Sequence, residues 1–96
     1  MTAREILAQK RHQVEALARS HGATRIRLIG SVARGTETPN SDIDFLVDWE
    51  PSTSLFDATA LTLELEQMLG RKVDLASEGW VRPELREGVY RDAQPL

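Results

Sequence analysis

Cysteine is missing from this chain altogether, which excludes disulfides and thiolate zinc sites and leaves the redox character of its compartment undetermined. Basic residues are not in excess either. Lys plus Arg at 12 against Asp plus Glu at 15 gives a net charge of −3, without the basic footprint that polynucleotide binding demands. A nucleotide held through a metal stays compatible with that balance. No apolar run approaches the length of a membrane span, and Arg4 and Glu5 fall where a signal peptide would carry its apolar region. The expectation is a cytoplasmic protein with no membrane partner and no direct polynucleotide binding. Internal repeats, linkers and low-complexity tracts are absent too. With 96 residues there is room for one small core, so residues 1–96 are expected to form a single domain.

What the sequence does contain is concentrated between Ile29 and Val47, reading IGSVARGTETPNSDIDFLV. In a strand, alternation puts Asp42, Asp44 and Leu46 on one face and Ile43, Phe45 and Val47 on the other. The two carboxylates then sit about 6 to 7 Å apart at their Cα atoms, which is the two-residue strand spacing. Like charges this close repel, and burying either without a partner costs several kcal/mol. A divalent cation removes the difficulty, and Mg²⁺ takes one or two carboxylates together with waters and substrate phosphates. Upstream, Gly30 allows a tight turn and close approach to a ligand. Ser31 offers a hydroxyl and an N–H at the start of a short helix, a candidate phosphate site.

Around this stretch the chain reads as alternating helices and strands. Thr2 and Glu5 have capping-box spacing, Ile6, Val14 and Leu17 recur at helical intervals, and Gly22 is a natural stop. Lys10, Arg11 and Arg19 lie between these apolar positions as a solvated face or a partner surface. Thr24 to Ile29 alternates as a strand, Val32 to Arg34 makes a helical turn closed by Gly35, and Thr36 to Ser41 is a loop in which Ser41 bonds the backbone. Asp48 to Pro51 reads as a turn. A helix follows with an apolar stripe of Leu55, Phe56, Leu61, Leu65, Met68 and Leu69, assigned to the core, and Gly70 ends it. Lys72 to Leu75 is a third strand, Pro83 opens a last helix carrying Leu85 and Val89, and Gln94 to Leu96 are expected to fray. Trp80 is assigned to the core, and Tyr90 is left between core and partner. His12 and His21 are read as surface or helix-end residues.

Topology follows from geometry. For Gly30 and Ser31, ending one strand, to meet Asp42 and Asp44, beginning the next, the two strands must run antiparallel. A strand, a helix of about four turns and another strand make a parallel crossover, which brings Asp74 beside Asp42 and Asp44. The fold class is therefore α/β (α+β), a small mixed three-stranded sheet flanked by about four helices.

Gly30-Ser31, ten residues and then Asp42-Ile43-Asp44 resembles the signature of the DNA polymerase β-like nucleotidyltransferase superfamily. With Ala33, Arg34, Gly35 and Ser41 in place, and Val73-Asp74-Leu75 after a helix, the chain is similar over nearly its whole length to the minimal nucleotidyltransferases. That branch includes MntA-like antitoxins encoded beside HEPN-domain toxins. The resemblance implies that Gly30 and Ser31 hold the β and γ phosphates of ATP, and that Asp42 and Asp44 bind two Mg²⁺ ions. Asp74 would complete one metal site and orient or deprotonate the attacking hydroxyl. Arg34 would add a phosphate contact, or else pair at the surface with Glu37. A polymerase needs a primer channel and a basic face, and an aminoglycoside-modifying enzyme needs a larger pocket, so the acceptor must come with a partner. The resemblance implies a HEPN toxin whose tyrosine receives AMP. The alternative is an antitoxin that neutralises its partner by binding and occlusion without catalysis. Regulation by direct nucleic-acid binding is disfavoured by the charge balance.

Overall fold

A computed structural model describes residues 2–77 and 83–96. Its elements run in the order α1 (Ala3–Ser20), β1 (Ala23–Ile29), α2 (Gly30–Arg34), β2 (Ile43–Trp49), α3 (Leu55–Leu69), β3 (Val73–Ser77) and α4 (Pro83–Asp92). The three strands form one mixed sheet in the order β1-β2-β3, antiparallel between β1 and β2 and parallel between β2 and β3. The architecture is thus the expected α+β one of three strands and four helices, with both strand orientations as the topology required.

Local chemistry sets the long helices. Thr2 Oγ1 accepts from the Glu5 N–H at 3.1 Å while Glu5 Oε1 accepts from the Thr2 N–H at 3.1 Å, a complete capping box that satisfies two orphan donors of α1. Ser54 and Asp57 repeat the device at the start of α3, where the Ser54 N–H donates to Asp57 Oδ2 at 2.9 Å. Such caps are worth about 1 kcal/mol each. Ala3, Leu7, Val14 and Ala18 of α1 and Ala58, Leu61, Leu65 and Leu69 of α3 pack into one core with Ile43, Phe45, Val47 and Val73. One face of the sheet is therefore apolar apart from Ser77, which is buried opposite Val47. The other face carries Asp44 and Leu46 of β2 and Asp74 of β3, by strand alternation. No helix of the described residues is long and apolar enough to cross a membrane.

Several boundaries differ from the sequence-based expectation, each for a physical reason. Asp42 is not in the strand. The loop before it closes on itself through Ser41 N–H to Thr38 O at 3.0 Å and Thr38 N–H to Ser41 Oγ at 2.8 Å, and the first ladder bond belongs to Ile43, whose N–H donates to Lys72 O at 2.9 Å. Asp48 and Trp49 extend β2 instead of turning out of it, because Arg25 and Ala23 of β1 pair with them. β3 likewise continues to Ser77, with Ala76 opposite Leu46 and Ser77 opposite Val47. α2 starts at Gly30, two residues before the expected turn. On α3, burial of Ala58, Leu61, Leu65 and Leu69 fixes the helix phase and turns Phe56 outward, 87% exposed, with Leu63 seven residues on. Leu55, in the first turn, is 71% exposed, so it and Phe56 are not core.

The tail does not fray. Leu28 and Gln94 exchange backbone hydrogen bonds of 2.7 and 2.8 Å across the free edge of β1, and the Gln94 side chain donates to Ala33 O at 3.0 Å. Pro83 opens α4 as expected. Tyr90 is half-buried on α4, its ring 5.8 Å from the Arg27 guanidinium carbon. Trp80 lies outside the described residues. His21 ends α1 and pairs with Glu64, and Lys10 Nζ reaches across to Met68 O at 2.7 Å, so the face that carries it is partly spent on joining α1 to α3.

Candidate active site

Parallel pairing of β2 with β3 sets Asp44 directly opposite Asp74, and antiparallel pairing of β1 with β2 sets Ile29 opposite Asp44. Gly30, the next residue after Ile29, therefore turns into α2 immediately beside the Asp44 carboxylate. Its φ of 75° lies in the left-handed region, and a Cβ placed there would overlap Asp44 Oδ2 and lie 3.1 Å from Asp44 Cβ. Glycine is required at this position both by the turn and by the closeness of the aspartate. Gly35, also left-handed at φ 75°, caps α2, and Thr36 N–H closes the turn on Ser31 O at 2.9 Å.

Gly30, Arg34, Asp44 and Asp74 line a single cavity of about 460 Å³, shared with Ala76 of β3 and Val89 of α4. Ser31 follows Gly30 in the first turn of α2. Asp42, exposed and just ahead of β2, stands outside the residues lining the cavity, but its charge reaches Asp44. Arg34 also acts on Asp44. Glu37, the surface partner weighed for Arg34, has its Oε2 3.6 Å from Arg71 Nη2.

The electrostatics of this cluster are unfavourable in a specific way. Burial pushes the Asp44 carboxyl up to about 6, helped by the charges of Asp74 and Asp42 and by a hydrogen bond with Asp74, while Arg34 draws it down. Two facing carboxylates can share one proton, or they can share a cation. Among the described residues no three acidic or histidine groups are arranged to hold a metal ion between them. The fit is instead to an ion bound by one or two carboxylates and completed by oxygens that a ligand brings, as Mg²⁺ prefers.

Arg71 is the residue that sequence reasoning overlooked. From the turn between α3 and β3, its guanidinium donates to Ser41 O, contacts Thr38 O at 3.4 Å and pairs with Glu37, so the loop that delivers Asp42 is tied to the strand that delivers Asp74. Nothing in the local sequence marks it, because its partners lie about 30 residues away in the chain. We expect Arg71→Met to release this loop: amide exchange at Ser41 and Ile43 should speed up at least tenfold, about 1.4 kcal/mol, while exchange in α1 stays unchanged. Equal protection in both proteins would refute the clamp.

Comparisons with known proteins bear on the fold and the family. A solved structure assigned as a minimal nucleotidyltransferase is 46% identical and superposes with a TM-score of 0.89, covering 100% of this chain and 97% of the other. A crystal structure of a toxin–antitoxin complex with AMP-PNP is 26% identical with a TM-score of 0.74, over 86% of this chain and 68% of the other. Protein adenylyltransferase MntA of Thermococcus cleftensis is 39% identical over 74 residues, 72% of this chain and 75% of its own length. A Methanocaldococcus jannaschii protein assigned as a protein adenylyltransferase is 37% identical over 73 residues, 76% of this chain and 78% of its own. The model of the nucleotidyltransferase domain matches residues 10–94, a span that takes in every residue of the cavity. By fold and by sequence, the chain belongs to the nucleotidyltransferase domain family, in its minimal form.

Proposed function

We propose that residues 1–96 act as one domain that transfers AMP from ATP to a hydroxyl group of a partner toxin, and so serve as its antitoxin. The observation that carries this is the facing pair Asp44 and Asp74 beside the Gly30 turn, in one cavity with Arg34. The nucleotidyltransferase membership supplies the reaction type, and relatives named as a protein adenylyltransferase and as toxin–antitoxin assemblies support the acceptor class. In this reading Gly30 and Ser31 hold the β and γ phosphates, with Arg34 contributing a charge-assisted contact. Asp42 and Asp44 hold two Mg²⁺ ions. Asp74, opposite Asp44, completes one metal site and orients or deprotonates the attacking hydroxyl. Bound magnesium would supply activation of that hydroxyl and neutralisation of the charge building on the α phosphate and the departing pyrophosphate. The acceptor oxygen forms a bond to the α phosphorus as the bond to pyrophosphate breaks, and the hydroxyl proton passes to Asp74 or to solvent.

The acceptor we assign is a tyrosine of a HEPN-domain toxin. The cavity of about 460 Å³ is open to solvent and of a size to take a nucleotide, which leaves a hydroxyl carried by a partner protein access to it. Incubation with α-labelled ATP, Mg²⁺ and the product of the neighbouring gene should label that product. The label should be lost with the Asp42→Ala, Asp44→Ala double variant. Absence of label with the native protein would overturn the reading. Full rescue of toxicity by the double variant at equal expression would replace it with neutralisation by occlusion.

A further inference from the structure

The helix that follows the Gly30 turn is held from outside. α2 has five residues, fewer than a helix needs to persist unaided, and its last carbonyls find no partners within it. Gly35 N–H reaches Val32 O at 3.2 Å and Thr36 N–H reaches Ser31 O at 2.9 Å. Ala33 O is served differently. Ala33 is buried, and among the described residues both donors to its carbonyl are side chains from distant parts of the chain. They are Arg4 Nη2 from the first turn of α1 and Gln94 Nε2 from beyond α4, each at 3.0 Å, and Arg4 Nε also donates to Val32 O at 3.2 Å.

Gln94 is the informative residue. Arg4 Nη2 donates to Gln94 Oε1 as well, and since a guanidinium has nothing to accept with, that contact turns the amide N–H toward Ala33 O. The Gln94 backbone meanwhile exchanges hydrogen bonds of 2.7 and 2.8 Å with Leu28. One residue thus grips the chain on both sides of Gly30, at Leu28 just before the turn and at Ala33 just after it. Gly30 itself, with no Cβ and a φ of 75°, supplies little stiffness. The angle at which α2 leaves β1 is set by the grip. Neither Arg4 nor Gln94 is among the described residues that line the aspartate cavity, so their influence on a ligand there passes through the turn.

We propose that Gln94, oriented by Arg4, is a positioning residue for nucleotide binding, an inference that rests on the reading of Gly30 and Ser31 as the phosphate site. It fixes α2 against β1 and so fixes where Gly30 and Ser31 stand relative to Asp44. Loss of the side-chain bonds alone leaves Ala33 O satisfied by Arg4 but lets α2 swing about Gly30. Hydrogen bonds from the turn to a phosphate are directional, and a displacement of about 1 Å is enough to break them.

The test compares Gln94→Leu, similar in size but without donor or acceptor, with the native chain. AMP-PNP with Mg²⁺ is titrated calorimetrically at a temperature well below both melting transitions, where a modest loss of global stability leaves affinity unmoved. Affinity should fall at least about tenfold. Amide exchange at Gly35 and Thr36 should speed up at least about tenfold, while exchange in α3 changes less than about twofold and melting shifts by less than about 4 °C. Gln94→Glu keeps an acceptor for Arg4 but gives Ala33 O no donor, so it should lose affinity as Gln94→Leu does, and it carries the test if Gln94→Leu fails to fold. Arg4→Met should act in the same direction, with Arg4→Lys recovering part of the loss. Undiminished AMP-PNP affinity in the Gln94 variants would reduce the residue to a cap of the fold and end the proposal. Exchange that accelerates equally in α2 and α3 would do the same, by making the effect global. Native protein that does not bind AMP-PNP would instead overturn the phosphate reading of the Gly30 turn.

Discussion

Gly30→Ala is expected to abolish nucleotide transfer and to cost the fold about 2 to 4 kcal/mol. Two effects add. Alanine at a φ of 75° is strained by roughly 1 kcal/mol or more, and its methyl group would overlap Asp44 Oδ2 with Asp44 Cβ and Cγ only 3.1 Å away. The obstructing atoms belong to a side chain on a central strand between β1 and β3, so the backbone behind Asp44 cannot retreat. Relief must come from rotation of the Asp44 carboxylate, which takes it away from Asp74, or from unwinding of the first turn of α2. Either one separates the Gly30 turn from the acidic pair. Thermal melting should fall by about 8 °C or more for a domain of this size, and Mg²⁺-dependent AMP-PNP binding should disappear in calorimetry. A variant that melts like the native protein and still binds would show that Gly30 does not hold Asp44 in place.

The same contact explains which parts of the site were legible in the sequence. Gly30, Asp44 and Asp74 could be read because each combines a special residue type with a position at a strand end, and strand orientation alone brings such ends together. Asp42 was legible as a charge but not as a loop residue. Its exclusion from β2 depends on the Thr38–Ser41 turn and on Arg71, neither of which leaves a periodic trace. Phe56 shows the limit of periodicity from the other side. Its spacing fits the apolar stripe of α3, but the packing of Leu61, Leu65 and Leu69 against the sheet chooses the phase that leaves it in solvent. The bridge from Gln94 to Leu28 was invisible for a third reason, since pairing across 66 residues rests on backbone groups that every residue carries.

Arg71 and Gly30 also divide the labour of construction. Gly30 brings the β1–α2 turn onto Asp44 from the β1 side, while Arg71 draws the Asp42 loop toward the start of β3 from the other. The acidic cluster is thus held between two independent tethers, and neither belongs to the helix stripe that forms the core.

Asp44→Asn should make the ligand-free protein more stable while it eliminates transfer, at least about 100-fold in rate. In the folded state the Asp44 carboxyl titrates at about 6, above its ordinary 3.8, because it is half-buried and faces Asp74 with Asp42 nearby, Arg34 offsetting only part of this. The sign follows from proton uptake: between pH 4 and 6 the folded protein holds a proton that the unfolded chain has lost, so stability falls as pH rises through that window. Above pH 6 the carboxylate is charged in both states and its whole cost is present. After discounting for its contact with solvent, that cost is roughly 1 kcal/mol, which asparagine removes. The gain in melting temperature, about 4 °C or more at pH 7.5, should shrink through pH 6 and vanish below pH 4, where native Asp44 is neutral as well. Mg²⁺ with AMP-PNP should reverse the order, stabilising the native protein by mass action and leaving Asp44→Asn unmoved. A variant that is less stable than the native protein at pH 7.5 without ligand would mean that the carboxylate contributes to the fold, and that the acidic pair is structural instead of poised for a cation.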